Sequence, residues 1–250
     1  MKVIAVTQAR IGSTRLPKKI LKKVNGKSLL EIHLLRILNA KRIDKVKVAT
    51  TKEPEVEKII EVANKVGVAY YQGDIQDVLD RFYQTLKKEK ADYVVRLTSD
   101  CPLIDPALID KIIAFTLDND LEYCSNTLEE TYPDGQDVEV FKFSAIEKAW
   151  YNAKLTSERE HVTPFIYNNS NVKGKDLFKA MAFPSDNNYN HVRLTVDEPI
   201  DFEVVKRLID EVGINGSWQE YTDLYLKTDI GQLNKNIIRN EGYQNSLKKD

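Results

Sequence analysis

Strands and helices alternate along the first half of this chain, and that alternation constrains the fold more than any other feature. Such alternation is typical of a parallel sheet with helices on both of its faces. We therefore predict an α/β fold, Rossmann-like, with three layers and a mostly parallel sheet. Apolar periodicity predicts strands at Lys2–Gln8, Lys45–Thr50, Ala69–Tyr71 and Tyr93–Leu97, and helices at Ser28–Asn39, Glu55–Val66, Gln76–Lys88 and from Asp105–Pro106 to about Leu117.

The alternation becomes irregular after Asp118 and is regained only at Pro199–Val212, which has the spacing of an amphipathic helix. No repeat or long linker divides the chain, so we predict a single domain over 1–250. Within it, 120–190 reads as an insertion that covers the site or builds a subunit interface. The irregular part holds candidate strands at Leu121–Ser125, Val138–Phe143, Leu177–Phe183 and His191–Thr195, and candidate helices at Ser144–Lys154 and Ser157–Tyr167.

Charge is distributed unevenly along a chain whose formal net charge is only −1. Residues 1–60 contain 15 Lys and Arg against 5 Asp and Glu, which predicts an N-terminal region that faces a polyanion. The absence of any long apolar run predicts a cytoplasmic protein that neither spans nor binds a membrane. Cys101 and Cys124 lack metal-ligand spacing, and we interpret both as structural.

The loop after the first predicted strand, Gln8–Lys19, carries the clearest chemical signal. In open parallel sheets, ligands bind beyond the carboxyl ends of the strands, which is where this loop begins. Gly12 permits close approach of a backbone, while Ser13 and Thr14 offer hydroxyl and amide donors. Its cations suit phosphate oxygens. They are Arg10, Arg15 and Lys19.

The string from Arg10 to Lys19, Arg-x-Gly-Ser-x-Arg-Leu-Pro-x-Lys, resembles the signature of sugar-activating cytidylyltransferases. It is most similar to the spore-coat-polysaccharide branch, which is related to acylneuraminate and 3-deoxy-manno-octulosonate cytidylyltransferases. Lys18 is a departure, because these enzymes commonly carry glycine there. The resemblance spans about 1–212 and continues in Gly73–Arg81, Arg96–Asp105, Tyr132–Glu139, Glu158–Pro164 and Val192–Asp197.

The resemblance implies a nucleotide-diphospho-sugar transferase type of fold and transfer of CMP from CTP to an acceptor oxygen, with release of pyrophosphate. It also implies Mg²⁺ as cofactor, with Mn²⁺ as a substitute, and a homodimer. The product would be a precursor of a surface glycan. Negative charge develops on the pyrophosphate as it leaves and must be stabilised by cations. We predict that Arg15 and Lys19 are the catalytic residues that do so.

Metal ligands are expected among the carboxylates that follow strands, because Mg²⁺ is usually bound by one or two acids together with phosphate and water. Asp100 follows the Tyr93–Leu97 strand, and Asp197 follows the predicted His191–Thr195 strand in a similar Leu-Thr-x-Asp-x-Pro setting. We predict that these two acids hold the metal. The alternative is that each only caps a helix, although Asp105 and Asp201 are near enough to take that role.

Contacts to the base are expected from the backbone of Ala9 and Arg10. By resemblance, Gly73, Asp77, Arg81 and Thr98 line the cytidine pocket, although Asp77 is equally suited to capping a helix. Acceptor contacts are expected in and beyond the acid-rich stretch 118–141, where Asp137 and Glu139 point to one side of a strand. The predicted acceptor-binding residues are Gln136, Asp137, Glu139, Arg159 and His161, with His161 alternatively a general base.

Three alternatives stay open on the sequence. The acceptor is either the anomeric hydroxyl of an acidic sugar or the phosphate of a small phosphorylated molecule. The nucleotide could be UTP or GTP instead of CTP. A non-catalytic nucleotide or nucleic-acid binder is the third, but the basic residues lack the interleaved aromatic residues of single-strand binders, and we predict no nucleic-acid partner.

Overall fold

The computed structural model describes residues 1–239 and 241–250. The strands are β1 (Val3–Gln8), β2 (Lys23–Val24), β3 (Lys27–Ser28), β4 (Lys45–Thr50), β5 (Ala69–Gln72), β6 (Tyr93–Thr98), β7 (Tyr123–Ser125), β8 (Glu139–Lys142) and β9 (Ala180–Ala182). The helices are α1 (Leu29–Leu38), α2 (Glu57–Lys65), α3 (Val78–Leu86), α4 (Pro106–Asp118), α5 (Phe143–Asn152), α6 (Thr156–His161), α7 (Pro164–Asn168), α8 (Pro199–Val212), α9 (Trp218–Lys227) and α10 (Glu241–Leu247).

Seven strands form the main sheet in the order β5-β4-β1-β6-β8-β7-β9. The first four in that order run parallel, whereas β8 is antiparallel to both of its neighbours and β9 is parallel to β7. Gln8, the last residue of β1, pairs with Thr98, the last residue of β6. The segments that follow these two strands therefore leave the sheet side by side, which places the predicted loop next to Asp100.

Helices cover both faces of the sheet, as the alternation predicts. Along β1, Val3 and Ala5 pack on the face that meets α1, α2 and α4, while Ile4 and Val6 pack on the face that meets α3 and α5. Side chains alternate along a strand, so a continuous apolar run such as this one is buried on both sides. The predicted three-layer, mostly parallel α/β fold is confirmed.

A third apolar cluster anchors the loop after β1. Leu16, from that loop, packs with Leu194 and with the inner side of α8, including Val204 and Leu208. A two-stranded hairpin of β2 and β3 follows, with Asn25 and Gly26 both at positive φ, the geometry of a type I′ turn. The loop is therefore fixed between the sheet and α8.

Two predicted elements differ from the structure. The predicted His191–Thr195 strand is wrong: the segment lies outside the sheet and makes one isolated bridge, between Arg193 and Asp134, because its backbone bonds to a loop. The predicted Ser157–Tyr167 helix is divided into α6 and α7. Val162 has a φ of 74° and Pro164 lacks the amide that would continue α6.

The N-terminus of α4 is capped as the sequence predicts. Asp105 accepts hydrogen bonds from the amides of Ala107 and Leu108, with Pro106 in the first turn.

Both cysteines are buried free thiols, as their spacing predicts. Within the described residues, no helix is both long and apolar enough to cross a membrane.

Candidate active site

A cleft of about 1690 Å³ lies beyond the carboxyl ends of β1 and β6. Its loop half is formed by residues from within 8–20, 98–101 and 193–197. Its far half is formed by residues from within 123–139 and 154–167, together with Ile238, Arg239, Tyr243 and Lys249. Gly73 and Gln136 are the two predicted site residues that do not line it. Those that do are Ala9, Arg10, Gly12, Ser13, Arg15, Lys19, Asp77, Arg81, Thr98, Asp100, Asp137, Glu139, Arg159, His161 and Asp197.

Backbone amides of the loop after β1 bind a carboxylate from the chain itself. The amides of Ile11 and Gly12 donate to the two oxygens of Glu53, at 2.6 and 3.0 Å. A Cβ atom on residue 12 would stand 3.0 Å from one of those oxygens, so glycine allows this close approach. The loop thus presents amides to an anion, which is the property the sequence predicts for phosphate binding.

Lys18, the departure from the family pattern, adopts a conformation that glycine favours. Its φ is 55°, in the left-handed region, where a Cβ costs about 1–2 kcal/mol. The ammonium group pairs with Glu55, which also pairs with Lys58. The loop can therefore form without glycine at this position. The positive charge of Lys18 is neutralised by Glu55, just before α2, and does not point into the cleft.

Lys19 joins the two carboxylates predicted to hold a metal. Its Nζ lies 3.0 Å from Asp100 Oδ2 and 2.6 Å from Asp197 Oδ1. Arg15 adds a second cation, 3.2 Å from Asp197 Oδ2 and 3.4 Å from Glu198. Residues from three distant parts of the sequence thus meet at one point, with cations and carboxylates alternating.

The contacts of Lys19 with Asp100 and Asp197 determine the direction in which the pKa values of Lys19 and Asp100 shift. Burial alone favours the neutral form of Lys19, but Asp100 and Asp197 raise its pKa above the ordinary value. Burial also opposes ionisation of Asp100, yet Lys19 holds the pKa of that carboxyl at about 2. At neutral pH Lys19 is therefore an ammonium group beside the ionised carboxylate of Asp100.

The two carboxylates suit a hard divalent cation. Because both reach a single ammonium group, they are close enough to act on one ion, and Mg²⁺ commonly takes one or two protein carboxylates with phosphate and water completing its shell. Over 1–239 and 241–250, no group of three His, Cys, Asp or Glu side chains is arranged to hold a metal. A cation at Asp100 and Asp197 would therefore depend on oxygens supplied by the nucleotide.

Arg193 supports Asp197 from behind. Its guanidinium lies 3.2 Å from Asp197, 2.6 Å from Asp134 and 2.9 Å from Asp201. Burial works to lower the pKa of Arg193, and these carboxylates raise it. Asp201 is fully buried, accepts the amides of Asp197 and Glu198, and forms a capping box at α8. The predicted capping role of Asp201 is confirmed, which leaves Asp197 oriented into the cleft.

Gly135 connects the two halves of the cleft at a point with no space for a side chain. Its φ is 107°, and a Cβ there would lie 2.6 Å from the backbone nitrogen of Thr195. The neighbouring Asp134 exchanges backbone hydrogen bonds with Val192 and Leu194. The acid-rich stretch can therefore lie directly against the segment that carries Arg193 and Asp197.

Of the residues predicted to contact the base, Arg81 and Thr98 line the cleft and Gly73 does not. The amide of Ala9 donates to the carbonyl of Ala49 at 3.1 Å, so it is not available to read a base. Gly73 lies behind Arg81, where a Cβ would meet Arg81 Cγ at 2.9 Å. Arg81 lines the cleft, its Nε has no hydrogen-bond partner among the described residues, and burial lowers its pKa to about 10. Thr98 also borders this region.

Three residues predicted to contact a ligand, Gln136, Asp77 and Arg159, bind other groups of the protein. Gln136 is fully buried outside the cleft, where its side chain donates to the carbonyl of Leu103 and accepts the amide of Asp105. Asp77 caps α3 through the amide of Asp80 and pairs with Arg159. The predicted acceptor role of Gln136 is therefore wrong, because both ends of its amide bind backbone groups, those of Leu103 and Asp105.

Acids in the far half are paired with arginines that are distant in the sequence. Asp137 accepts from Arg239 at 3.0 Å, and Glu139 pairs with Arg96 and accepts from Tyr123 at 3.1 Å. Both acids line the same cleft, as strand alternation predicts. The buried Nε atoms of Arg96 and Arg239 have no hydrogen-bond partner within residues 1–239 and 241–250.

His161 also lies in the far half, with Nε2 2.9 Å from Ser246 Oγ. Burial lowers its pKa to about 4, with a further decrease from Arg96 and an opposing effect of Glu160 and Glu139. The imidazole is therefore neutral at pH 7. That makes it a hydrogen-bonding group rather than a cation for an anionic acceptor.

Sequence reasoning missed four charged residues that complete the cleft. Asp134, Arg96 and Arg193 lie inside the motifs already quoted, next to residues singled out there, so the motifs contained a signal for them. Arg239 lies in the Asn- and Lys-rich tail, where no local pattern marks it. Its importance arises from contact with Asp137 and from the carbonyl of Tyr132, to which it donates.

Comparison with known proteins gives a consistent result. A family model described as cytidylyltransferase matches residues 4–239. A curated relative, the spore coat polysaccharide biosynthesis protein SpsF of Bacillus subtilis, is 30% identical over 94% of this chain and 95% of its own length. An uncharacterized protein of Methanocaldococcus jannaschii is 39% identical over 98% of this chain and 94% of its own.

A solved structure extends the likeness to three dimensions. The cytidylyltransferase from Leptospira borgpetersenii is 32% identical, covers 95% of this chain and 98% of its own, and superposes with a TM-score of 0.86. The likeness therefore extends over nearly the whole chain.

Proposed function

This chain belongs to the cytidylyltransferase family and is a nucleotidyltransferase, and we propose that it transfers CMP from CTP to an acidic sugar or a small phosphorylated acceptor, releasing pyrophosphate. The name of the B. subtilis relative supports a product that serves the synthesis of a surface polysaccharide. The proposal extends the family assignment to this chain's own substrates.

One observation carries the proposal: the ammonium group of Lys19 lies between Asp100 and Asp197 at the end of an amide-rich loop. A triphosphate needs cations and amides, and a divalent ion needs carboxylates. Both sets of groups border one point in the cleft, beside β1 and β6. A basic loop that only bound nucleic acid would have no need for paired carboxylates beside its lysine.

In the proposed reaction, an acceptor oxygen forms a bond to the α-phosphorus of CTP while the bond from that phosphorus to the bridging oxygen of pyrophosphate breaks. Arg15 and Lys19 stabilise the charge that develops on the leaving pyrophosphate. Asp100 and Asp197 would hold Mg²⁺, which neutralises phosphate charge when bound. Arg193 keeps Asp197 oriented, because its guanidinium is fixed by Asp134 and Asp201.

We place the acceptor in the far half, which the middle segment 120–190 and the chain's last residues line. Asp137 and Glu139 suit hydroxyl groups as hydrogen-bond acceptors. The Nε atoms of Arg96 and Arg239 have no hydrogen-bond partner within residues 1–239 and 241–250 and suit an anionic group, although Arg239 Nε also lies 3.8 Å from Glu130. These contacts support an acceptor that carries both hydroxyls and one negative charge. Segment 120–190 remains our proposed location for a homodimer interface.

The test is incubation of the purified protein with CTP, Mg²⁺ and a panel of acceptors, followed by mass analysis for CMP conjugates and by a pyrophosphate assay. The panel contains sugar acids, including 3-deoxy-manno-octulosonate and N-acetylneuraminate, and phosphorylated polyols. The matched control is the Asp100→Asn variant with the same panel. We expect a CMP conjugate and equimolar pyrophosphate with the unchanged protein only.

Two results would overturn the proposal. Pyrophosphate release driven by UTP or GTP but not by CTP would change the nucleotide while keeping the reaction class. Steeply salt-dependent nucleic-acid binding, together with indifference to CTP and Mg²⁺, would favour a non-catalytic binder.

A further inference from the structure

The helix α10 packs against α6, the helix that carries His161. Tyr167 donates its hydroxyl proton to Tyr243 at 2.9 Å, and the ring of Tyr243 meets the imidazole of His161 edge-on, with centroids 5.0 Å apart. The amide of Ser157 donates to Asp250 at 2.8 Å. Contacts from α10 and the residues after it therefore reach α6 and α7, and they build one wall of the far half.

Ser246 fixes the position of the proton on His161. The Ser246 hydroxyl donates to Glu160 Oε2 at 2.7 Å. A hydroxyl group has only one proton. Because Ser246 Oγ gives that proton to Glu160, it must accept a hydrogen bond from His161 Nε2, which lies 2.9 Å away. Nε2 must then carry a proton, an assignment made from the hydrogen-bond network.

The other ring nitrogen is left with a lone pair. His161 lines the cleft, and its Nδ1 makes no hydrogen bond within the described part of the chain. Because burial and Arg96 keep the ring neutral, Nδ1 carries no proton at pH 7. Charged groups from several elements act on this ring: Arg96, Glu139, Glu160, Lys249 and Asp250.

We propose that Ser246 is a positioning residue of the acceptor site, holding His161 as the Nε2-protonated tautomer so that Nδ1 accepts a hydrogen bond from an acceptor hydroxyl. A lone pair favours a hydroxyl donor and disfavours a fully ionised phosphate oxygen, so this site favours an acceptor whose reacting oxygen is a hydroxyl over one whose reacting oxygen belongs to a phosphate. The proposal rests on the proposed function for its ligand, but the Ser246–His161 pairing can be measured without any acceptor.

The first test measures the tautomer directly by ¹⁵N NMR of the imidazole groups. The chain has three histidines, and the His161→Asn variant assigns the signal of interest. We expect the His161 ring to be neutral and Nε2-protonated at pH 7. Ser246→Ala should convert that signal to a tautomer mixture, whereas Ser246→Thr, which keeps the hydroxyl, and Ser144→Ala, an exposed serine on α5, should leave it unchanged.

The second test separates acceptor binding from nucleotide binding. With 3-deoxy-manno-octulosonate as a hydroxyl acceptor and glycerol 3-phosphate as a phosphate acceptor, Ser246→Ala should raise the KM of the hydroxyl acceptor about tenfold. The KM of CTP should stay unchanged, and Ser246→Thr should restore the acceptor KM. Thermal unfolding of each variant shows whether α10 remains folded.

Distinct results would overturn each proposal. An Nδ1-protonated or charged His161 in the unchanged protein at pH 7 contradicts the positioning role, as does a Ser246→Ala variant with an unaltered tautomer. Transfer to glycerol 3-phosphate alone contradicts the selection of a hydroxyl acceptor. Failure to transfer CMP to any acceptor counts against the proposed function, while the NMR result still decides the role of Ser246.

Discussion

The two halves of the cleft are built in different ways. Most of the loop half uses residues that adjoin in the fold because they follow neighbouring parallel strands: the loop after β1 and Asp100 just beyond β6. The far half collects side chains from stretches that are remote in sequence, such as Asp137, His161 and Arg239. Local sequence therefore says much about the first half and little about the second.

Charge pairing follows the same division. In the loop half, the predicted cation Lys19 meets the predicted acids Asp100 and Asp197. In the far half, the predicted acids Asp137 and Glu139 meet Arg239 and Arg96, for which no role was predicted. Variants of each half should consequently affect different kinetic constants, and the predictions below test that separation.

Asp100→Asn should have the largest effect, a fall in kcat of about a thousandfold, because a metal ligand contributes several kcal/mol and each 1.36 kcal/mol is tenfold. Steady-state rates of pyrophosphate release over a Mg²⁺ titration measure it. Asp118→Asn, an exposed acid on α4, is the control that should leave the rate unchanged. Unaltered turnover of Asp100→Asn at limiting Mg²⁺ would remove Asp100 from the metal site.

Lys19→Ala should lower kcat/KM for CTP about a hundredfold, the usual cost of removing one group that stabilises developing negative charge. The acceptor KM should change little, since Lys19 lies in the loop half. Lys23→Ala removes an exposed lysine from the nearby hairpin and should have no comparable effect. An equal loss from both variants would mean that the basic region acts only through its overall field.

Asp137→Asn should raise the acceptor KM about tenfold and leave the KM of CTP unchanged, because a hydrogen bond to a charged group is worth about 1.5–3 kcal/mol. Asp120→Asn, an exposed acid in the same acid-rich stretch, serves as the control. If Asp137→Asn altered the KM of CTP instead, the division between the halves would be wrong.

Lys18→Gly should have the smallest effect, a change in the free energy of unfolding below about 1 kcal/mol. Glycine relieves the positive φ, while the lost surface pair with Glu55 is worth about 0–1 kcal/mol. Urea denaturation of Lys18→Gly beside Lys18→Ala separates the two contributions. The alanine variant loses the pair but keeps the strained backbone, so it should be the less stable. The reverse order would show that the strain relieved is smaller than the entropy that glycine adds to the unfolded chain.

Most of the fold could be predicted from periodicity, and the failures have a clear physical origin. Lys45–Thr50 and Pro199–Val212 have the predicted bounds because their apolar spacing is unbroken. The predicted His191–Thr195 strand failed, since β-branched residues packed against a loop have the same composition as residues packed in a sheet. The position of this segment beside Asp134 depends on the positive φ of Gly135, which composition does not predict.

Predicted site residues lie close together where a motif also fixes a position in the sheet. Arg15, Lys19 and Asp100 follow strands that are adjacent in the sheet, so strand order brings them together. Gln136 failed because a buried amide satisfies backbone groups as readily as it contacts a ligand, and only its partners Leu103 and Asp105 distinguish the two cases.

By itself, the sequence determined the parallel sheet and the position of a basic loop and of Asp100 at the carboxyl ends of its strands, because periodicity and short motifs depend on neighbouring residues. Tertiary structure alone decided that Lys19 lies between Asp100 and Asp197, that Arg193 supports Asp197, and that Ser246 reaches His161. Hydrogen bonds and ion pairs act over about 3 Å, and residues far apart in sequence come within that distance only when the sheet and its covering helices have packed.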